Sequence, residues 1–237
     1  HKAETRKKLE ALIERHWGHR SDIKPALTLL EGNPLKELLH FLQSHPYDLL
    51  VVGKKKVSSG SGIVAHKLAR RIEGSILFVP TDAPKTIERM LLPVDFSKDS
   101  LAAAKMAVQL SPLLDDPTLQ VIHVYDVPPA VSIKIGRTPE QFSQMIRANV
   151  EEAMQKFIEK IAPGKAHVKT DLVYNKHTSP SRQLIDYAEV NQMSLIMIGA
   201  KGHTLLESLF LGSVTEKIIL SPLPIPILIV RRKDEAH

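Results

Sequence analysis

Leu195-Ile196-Met197-Ile198-Gly199-Ala200-Lys201-Gly202-His203, closed by Gly212-Ser213-Val214, is the stretch that decides the reading of this chain. Four consecutive apolar residues end abruptly at a glycine, which is the pattern of a buried strand. The segment after Gly212 reads as the start of a helix, so the glycines bracket a long strand-to-helix connection. Glycine lacks a Cβ and lets backbone N–H groups come close to an anion. The Ser213 hydroxyl and the unbonded N–H groups of a helix start can then hold phosphate oxygens. The spacing is Gly, two residues, Gly, nine residues, Gly, Ser. It is neither the P-loop pattern nor the dinucleotide fingerprint.

Working outward, the stretch belongs to a unit written twice. Gly53 aligns with Gly199 at an offset of 146 residues, and Pro34 with Pro180, Leu38 with Leu184 and Phe41 with Tyr187 share it. In the later copy a strand Met90–Val94 ends in Asp95-Phe96-Ser97. It is followed by a helix over 98–113, a strand Leu119–Tyr125, and a helix opened by the capping box Thr138-Pro139-Glu140-Gln141. A strand Val168–Tyr174, a helix capped by Ser179-Pro180, the strand into Gly199, the helix from Ser213 and a strand Ile225–Val230 complete it. The earlier copy reads as an amphipathic helix over 2–17, a short strand Ala26–Leu30 and a helix capped by Asn33-Pro34. A strand Tyr47–Val52, a helix Ile63–Ile72 and a strand Ser75–Val79 follow. Alternating strands and helices imply parallel strands with crossover helices. The expected fold class is α/β: two tandem doubly wound parallel-sheet domains, the first incomplete in the given chain. The expected domains are 1–80, a linker 81–88, a second domain 89–232 and a tail 233–237. The missing opening strands of the first copy are expected to be residues ahead of His1.

Leu92-Pro93-Val94-Asp95-Phe96-Ser97, His123-Val124-Tyr125-Asp126 and the glycine loop, in that order, resemble the universal stress protein family. The resemblance covers residues 89–232 fully and 2–80 in part, and identifies the chain with the tandem type. It implies strand order 3-2-1-4-5 and ATP bound in the second domain, with adenine near Pro93, Val94, Asp95 and Val124. Phosphates would lie along Gly199, Gly202, Gly212, Ser213 and Val214, with Lys201 and His203 reaching phosphate oxygens and Ile198 also among the nucleotide-binding residues. Asp95 reads equally well as a cap for the following helix, and Lys201 and His203 as exposed loop residues. By the same resemblance the last strands of the two units would pair about a pseudo-twofold axis, and a homodimer is a further possible assembly. The function implied is a nucleotide-dependent stress-response regulator. The alternatives are a slow ATPase or nucleotide-transferring enzyme, or a dimerising scaffold that binds no nucleotide. Hydrolysis would call for a metal ion such as Mg²⁺, which the sequence does not identify; Ser213 is a ligand only by analogy.

The first copy departs from the pattern. Lys56 stands where the second glycine belongs. Matching Val64 and Leu68 to Val214 and Ile218, an offset of 150, leaves the loop four residues shorter. A lysine at a close-approach position would crowd phosphates, so this copy is expected not to bind ATP. Gly60-Ser61-Gly62-Ile63-Val64-Ala65 fits a dinucleotide spacing but lies too far beyond its strand.

Composition narrows the classes. The chain has no cysteine, which excludes disulfides, thiolate metal sites and cysteine nucleophiles and is compatible with a reducing cytoplasm. No run is long and apolar enough for a membrane span. The net charge of +6 raises nucleic acid through Lys54-Lys55-Lys56 and Lys67, Arg70, Arg71. Aromatic residues do not interleave with these, so a solvated basic face is preferred. The histidines show no metal spacing, no G-x-S-x-G elbow is present, and His123 reads as structural.

Overall fold

The computed structural model describes residues 2–18, 24–54, 61–127, 138–162, 168–175, 178–202 and 211–232, the side chains of 61–64 excepted. By contacts the chain divides into two compact units, residues 1–46 and 47–237.

The first unit holds α1 (Lys2–Trp17) and α2 (Pro34–Ser44). Charge pairs one turn apart, Glu4 with Lys8 and Arg6 with Glu10, line α1. None of its residues is buried. Asn33 caps α2 by accepting from the Lys36 N–H, with Pro34 in the first turn. The strand expected at Ala26–Leu30 is absent, and residues 24–30 have no regular structure. A strand persists only within a ladder. The matching segment of the later copy, Val168–Tyr174, is a strand because it pairs along its length with Thr118–Tyr125. No counterpart of that partner lies within the 237 residues.

The second unit carries every described strand: β1 (Leu49–Lys54), β2 (Ser75–Pro80), β3 (Arg89–Pro93), β4 (Thr118–Tyr125), β5 (Val168–Tyr174), β6 (Leu195–Gly199) and β7 (Ile227–Val230). Its helices are α3 (Ser61–Ala69), α4 (Lys98–Leu110, extended by a 3₁₀ turn Ser111–Leu114), α5 (Pro139–Ile161), α6 (Pro180–Val190) and α7 (Ser213–Leu220). The strands form one sheet in the order β1-β2-β7-β6-β3-β4-β5. Within 89–230 that is the expected 3-2-1-4-5 order, all parallel. Thr138 and Gln141 form the expected capping box of α5, and Ser179 caps α6.

Met90, Leu92 and Val94 join a core cluster with Ala103, Ala104 and Ala107 of α4 and Met154, Phe157 and Ile161 of α5. Leu91 and Ile122, on the opposite pleat, are buried as well, so both faces of the sheet are covered. Three alanines let α4 lie close to the strands. No described helix is long and apolar enough to cross a membrane.

β2 and β7 pair antiparallel, Leu77 opposite Leu228 and Phe78 opposite Ile227. At the 150-residue offset, Leu77 corresponds to Ile227 and Phe78 to Leu228. The two pairs therefore exchange, and a local pseudo-twofold passes between them, as expected of the two last strands. Phe78 is fully buried at this junction while Val51 on the edge strand is 58% exposed. Phe78→Ala is expected to lower unfolding free energy by about 3–5 kcal/mol and Val51→Ala by about 0.5 kcal/mol or less, measured by urea titration.

Candidate functional site

β3 and β6 share the register pairs Met90–Leu195 and Leu91–Ile196. Beyond these, β3 runs on beside β4 and β6 beside β7. The gap between their carboxyl ends is a cavity of about 530 Å³, within the usual range for ligand sites. It lies where the winding of the sheet reverses, the place at which doubly wound sheets bind ligands.

The cavity gathers Pro93, Val94, Asp95, Val124, Ile198, Gly199, Lys201, Gly202, Gly212, Ser213 and Val214. His203 lies outside the described residues. The wall also includes Ser100, Ile122, His123, Pro180, Leu184, Leu211, Thr215 and Glu216, which motif reasoning did not assign to a site. Apolar side chains on Pro93, Val94, Ile122, Val124, Leu184 and Ile198 form one side. The glycine loop and the starts of α4, α6 and α7 form the other. Three helix starts at one cavity favour negative charge there.

The three loop glycines answer to different constraints. A Cβ on Gly199 would lie 2.7 Å from the Asp99 carbonyl carbon and 2.9 Å from the Ser100 nitrogen. That glycine is needed because the first turn of α4 presses on the end of β6, whatever the cavity holds. A Cβ on Gly202 would lie 2.6 Å from Asp95 Oδ2. At Gly212 a Cβ would meet its nearest atoms, the Ala200 oxygen and the Gly202 nitrogen, at ordinary contact distances of 3.5 and 3.6 Å. Its φ of −65° suits any residue. Among the described residues no protein atom requires glycine at 212, and the residue borders the cavity.

Hydrogen bonds fix the cradle. Gly212 N–H donates to the Ala200 carbonyl at 2.8 Å, and Ala200 N–H to Val230 at 3.0 Å. The buried Thr215 hydroxyl donates to the Gly199 carbonyl at 3.0 Å, tying α7 to the end of β6. Gly212 occupies the cap position of α7 with no side chain to satisfy the first N–H groups. Asp95 is not the cap of α4; that role falls to Ser97, whose hydroxyl accepts from Ser100 N–H at 3.2 Å. Asp95 Oδ1 instead accepts from Ser97 N–H at 3.0 Å in a local turn. Burial raises the Asp99 pKa behind this turn, opposed by Lys201, Arg232 and Arg231.

His123, read from sequence as structural, is structural and also faces the cavity. Its Nδ1 lies 2.7 Å from the Val94 carbonyl, which can only accept, so Nδ1 carries a proton. Its ring rests on Phe96, centroids 4.5 Å apart. Burial pushes its pKa below the usual value, against the hydrogen bond to Val94 and the charge of Asp95.

The basic residues are placed differently from the expectation of one solvated face. Lys67, Arg70 and Arg71 are exposed. Lys54 is buried at 4% exposure, with its ammonium 2.8 Å from the Ser221 carbonyl at the end of α7. Lys55 and Lys56 lie outside the described residues.

The model of the universal stress protein family matches residues 86–231. Universal stress protein MJ0531 of Methanocaldococcus jannaschii is 28% identical over 145 residues, 61% of this chain and 82% of its own length. Universal stress protein YxiE of Bacillus subtilis is 30% identical over 149 residues, 60% of this chain and 98% of its own. A functionally unknown protein of Pseudomonas aeruginosa PAO1, PA1789, shares the fold with a TM-score of 0.67 at 16% identity, over 95% of this chain and 77% of its own.

Two outcomes follow. Gly199→Ala should cost about 1–3 kcal/mol of stability because backbone atoms must shift, whereas Gly212→Ala should change it by less than about 0.5 kcal/mol; urea titration reads both. Because the folded state holds His123 neutral below the ordinary histidine pKa, the unfolded chain takes up the proton first as pH falls. Stability should therefore decline from about pH 6.5 downward. His123→Gln should show a smaller decline between pH 7.5 and 5.5.

Proposed function

Because this chain belongs to the universal stress protein family, we propose that it is a nucleotide-dependent stress-response regulator that binds ATP in the cavity between β3 and β6. The observation that carries this reading is Gly212, a glycine that none of the described residues around it requires, set at the cap of α7 beside the Ser213 hydroxyl. A phosphate seated there would accept from the first N–H groups of the helix, where the helix dipole favours an anion. Gly199, Gly202 and Lys201 border the same space, and His203, outside the described residues, stays in the proposed set by resemblance alone. The apolar side, with Pro93, Val94 and Val124, would suit the planar adenine, and Asp95, on the same cavity, is the proposed acceptor from adenine or ribose.

Binding rather than turnover is the reading for chemical reasons. Glu216, the carboxylate at the start of α7, is held by His66 at 3.2 Å, and Asp95 Oδ1 by the Ser97 N–H. Each of these carboxylates already engages a donor, which weakens it as a base toward an attacking water. ATP would bring its own Mg²⁺, with Ser213 the candidate protein ligand. As an ATP-responsive protein it would work in the cytoplasm.

We further propose the tandem organisation: a first domain 1–80 that takes no nucleotide, a linker 81–88, and a second domain 89–232 that does. The antiparallel β2–β7 register supports it.

Calorimetry with the full chain tests the proposal. Saturable binding of one ATP is expected, with Gly212→Val weakening it by roughly tenfold or more, about 1.4 kcal/mol, while the far-UV spectrum is kept. No heat from wild type, or equal affinity in both proteins, overturns the reading. Phosphate release with Mg²⁺ should stay at background; steady release would favour the slow ATPase.

A further inference from the structure

α7 lines the cavity with its start, and residues of the first half hold it at both ends. Near its start, Glu216 Oε1 lies 3.2 Å from His66 Nε2 and 3.7 Å from Arg70 Nη1, both carried on or just beyond α3, which packs against α7. At its other end, the Lys54 ammonium donates to the Ser221 carbonyl at 2.8 Å. Lys54 is the residue after Gly53, and the 146-residue offset makes it the counterpart of Ala200, where the glycine loop of the second half begins. The first half thus sends a long cation across the junction from the position at which the second half starts its phosphate cradle. Burial lowers the pKa of this lysine, which marks how far it has been taken out of water.

A cation at the carboxyl end of a helix is favoured by the unpaired carbonyls there, and a buried ammonium confines its acceptor to one geometry. The exchange runs both ways: the buried Arg231, just past β7, donates from Nη2 to the Ala69 carbonyl at the end of α3, 2.6 Å away. Each half therefore steadies the end of the other's helix. Thr215 connects α7 to the Gly199 carbonyl, so displacement of α7 reaches the loop through a 3.0 Å hydrogen bond.

We propose that Lys54 and His66 are positioning residues for α7, through which the first half sets the affinity of the second half's cavity for ATP. The inference rests on the nucleotide reading given above. It assigns the first half a role that needs no ligand of its own. By linkage, a ligand seated on α7 must tighten the contacts that hold α7 to the same degree that those contacts tighten the ligand.

The experiment is ATP titration of the full chain by calorimetry, together with hydrogen exchange. Lys54→Met and His66→Ala are each expected to weaken binding about five- to tenfold. His66→Gln, whose amide can still donate to Glu216, should return close to wild-type affinity. Lys54→Met should shift the urea midpoint little, since removing a desolvated charge offsets the Ser221 carbonyl left without its donor. Loss of affinity without loss of stability is what a merely structural lysine would not give. In the unmodified protein, ATP should slow amide exchange across residues 65–72. Wild type that binds ATP, with Lys54→Met and His66→Ala at wild-type affinity or exchange in α3 unchanged, overturns this inference alone. Wild type that does not bind ATP overturns the nucleotide reading and the inference with it.

Discussion

The cavity exists because β3 and β6 are fastened at their amino ends and part at their carboxyl ends. Ser194 does the fastening: its hydroxyl accepts from the Glu88 and Arg89 N–H groups and donates to the Arg89 carbonyl, each at 2.9 Å. Two register pairs later the strands diverge, each drawn along by its other neighbour. Strand twist then opens a crevice lined by apolar side chains, the glycine loop and helix starts.

Much of this was legible in the residues. Caps with proline in the first turn, at Asn33, Thr138 and Ser179, fixed three helix starts, because these side chains satisfy local N–H groups whatever the tertiary surroundings. Apolar runs such as Leu195–Ile198 fixed strands buried on both faces. Eleven of twelve cavity residues expected by resemblance lie on one cavity in the structure, and His203 is outside the described residues. That spatial gathering is geometric; their role toward a nucleotide stays with the proposal.

What was not legible depended on distant partners. Ala26–Leu30 has the composition of a strand, but composition cannot supply the neighbour that makes a ladder. Lys54 sits in a run of three lysines and reads as surface, until Ser221, far along the chain, offers it a carbonyl. Asp95 lost the cap to Ser97 by two residues, a choice made by backbone geometry rather than side-chain type. Gly199 and Gly212 are indistinguishable in a motif. Only the structure separates a glycine that another backbone forbids to be anything else from one that is sterically free.

His66 and Glu216 are each other's counterparts at the 150-residue offset, and they meet. Between two identical chains, a position on the dyad faces its own copy and must tolerate itself: a glutamate there would confront a glutamate. Joining two copies in one polypeptide removes that obligation, and the facing positions can drift apart into an acceptor and a donor. The pair at 66 and 216 is a contact that symmetric assembly of identical chains forbids, and it makes each half a better match for the other than for a twin of itself.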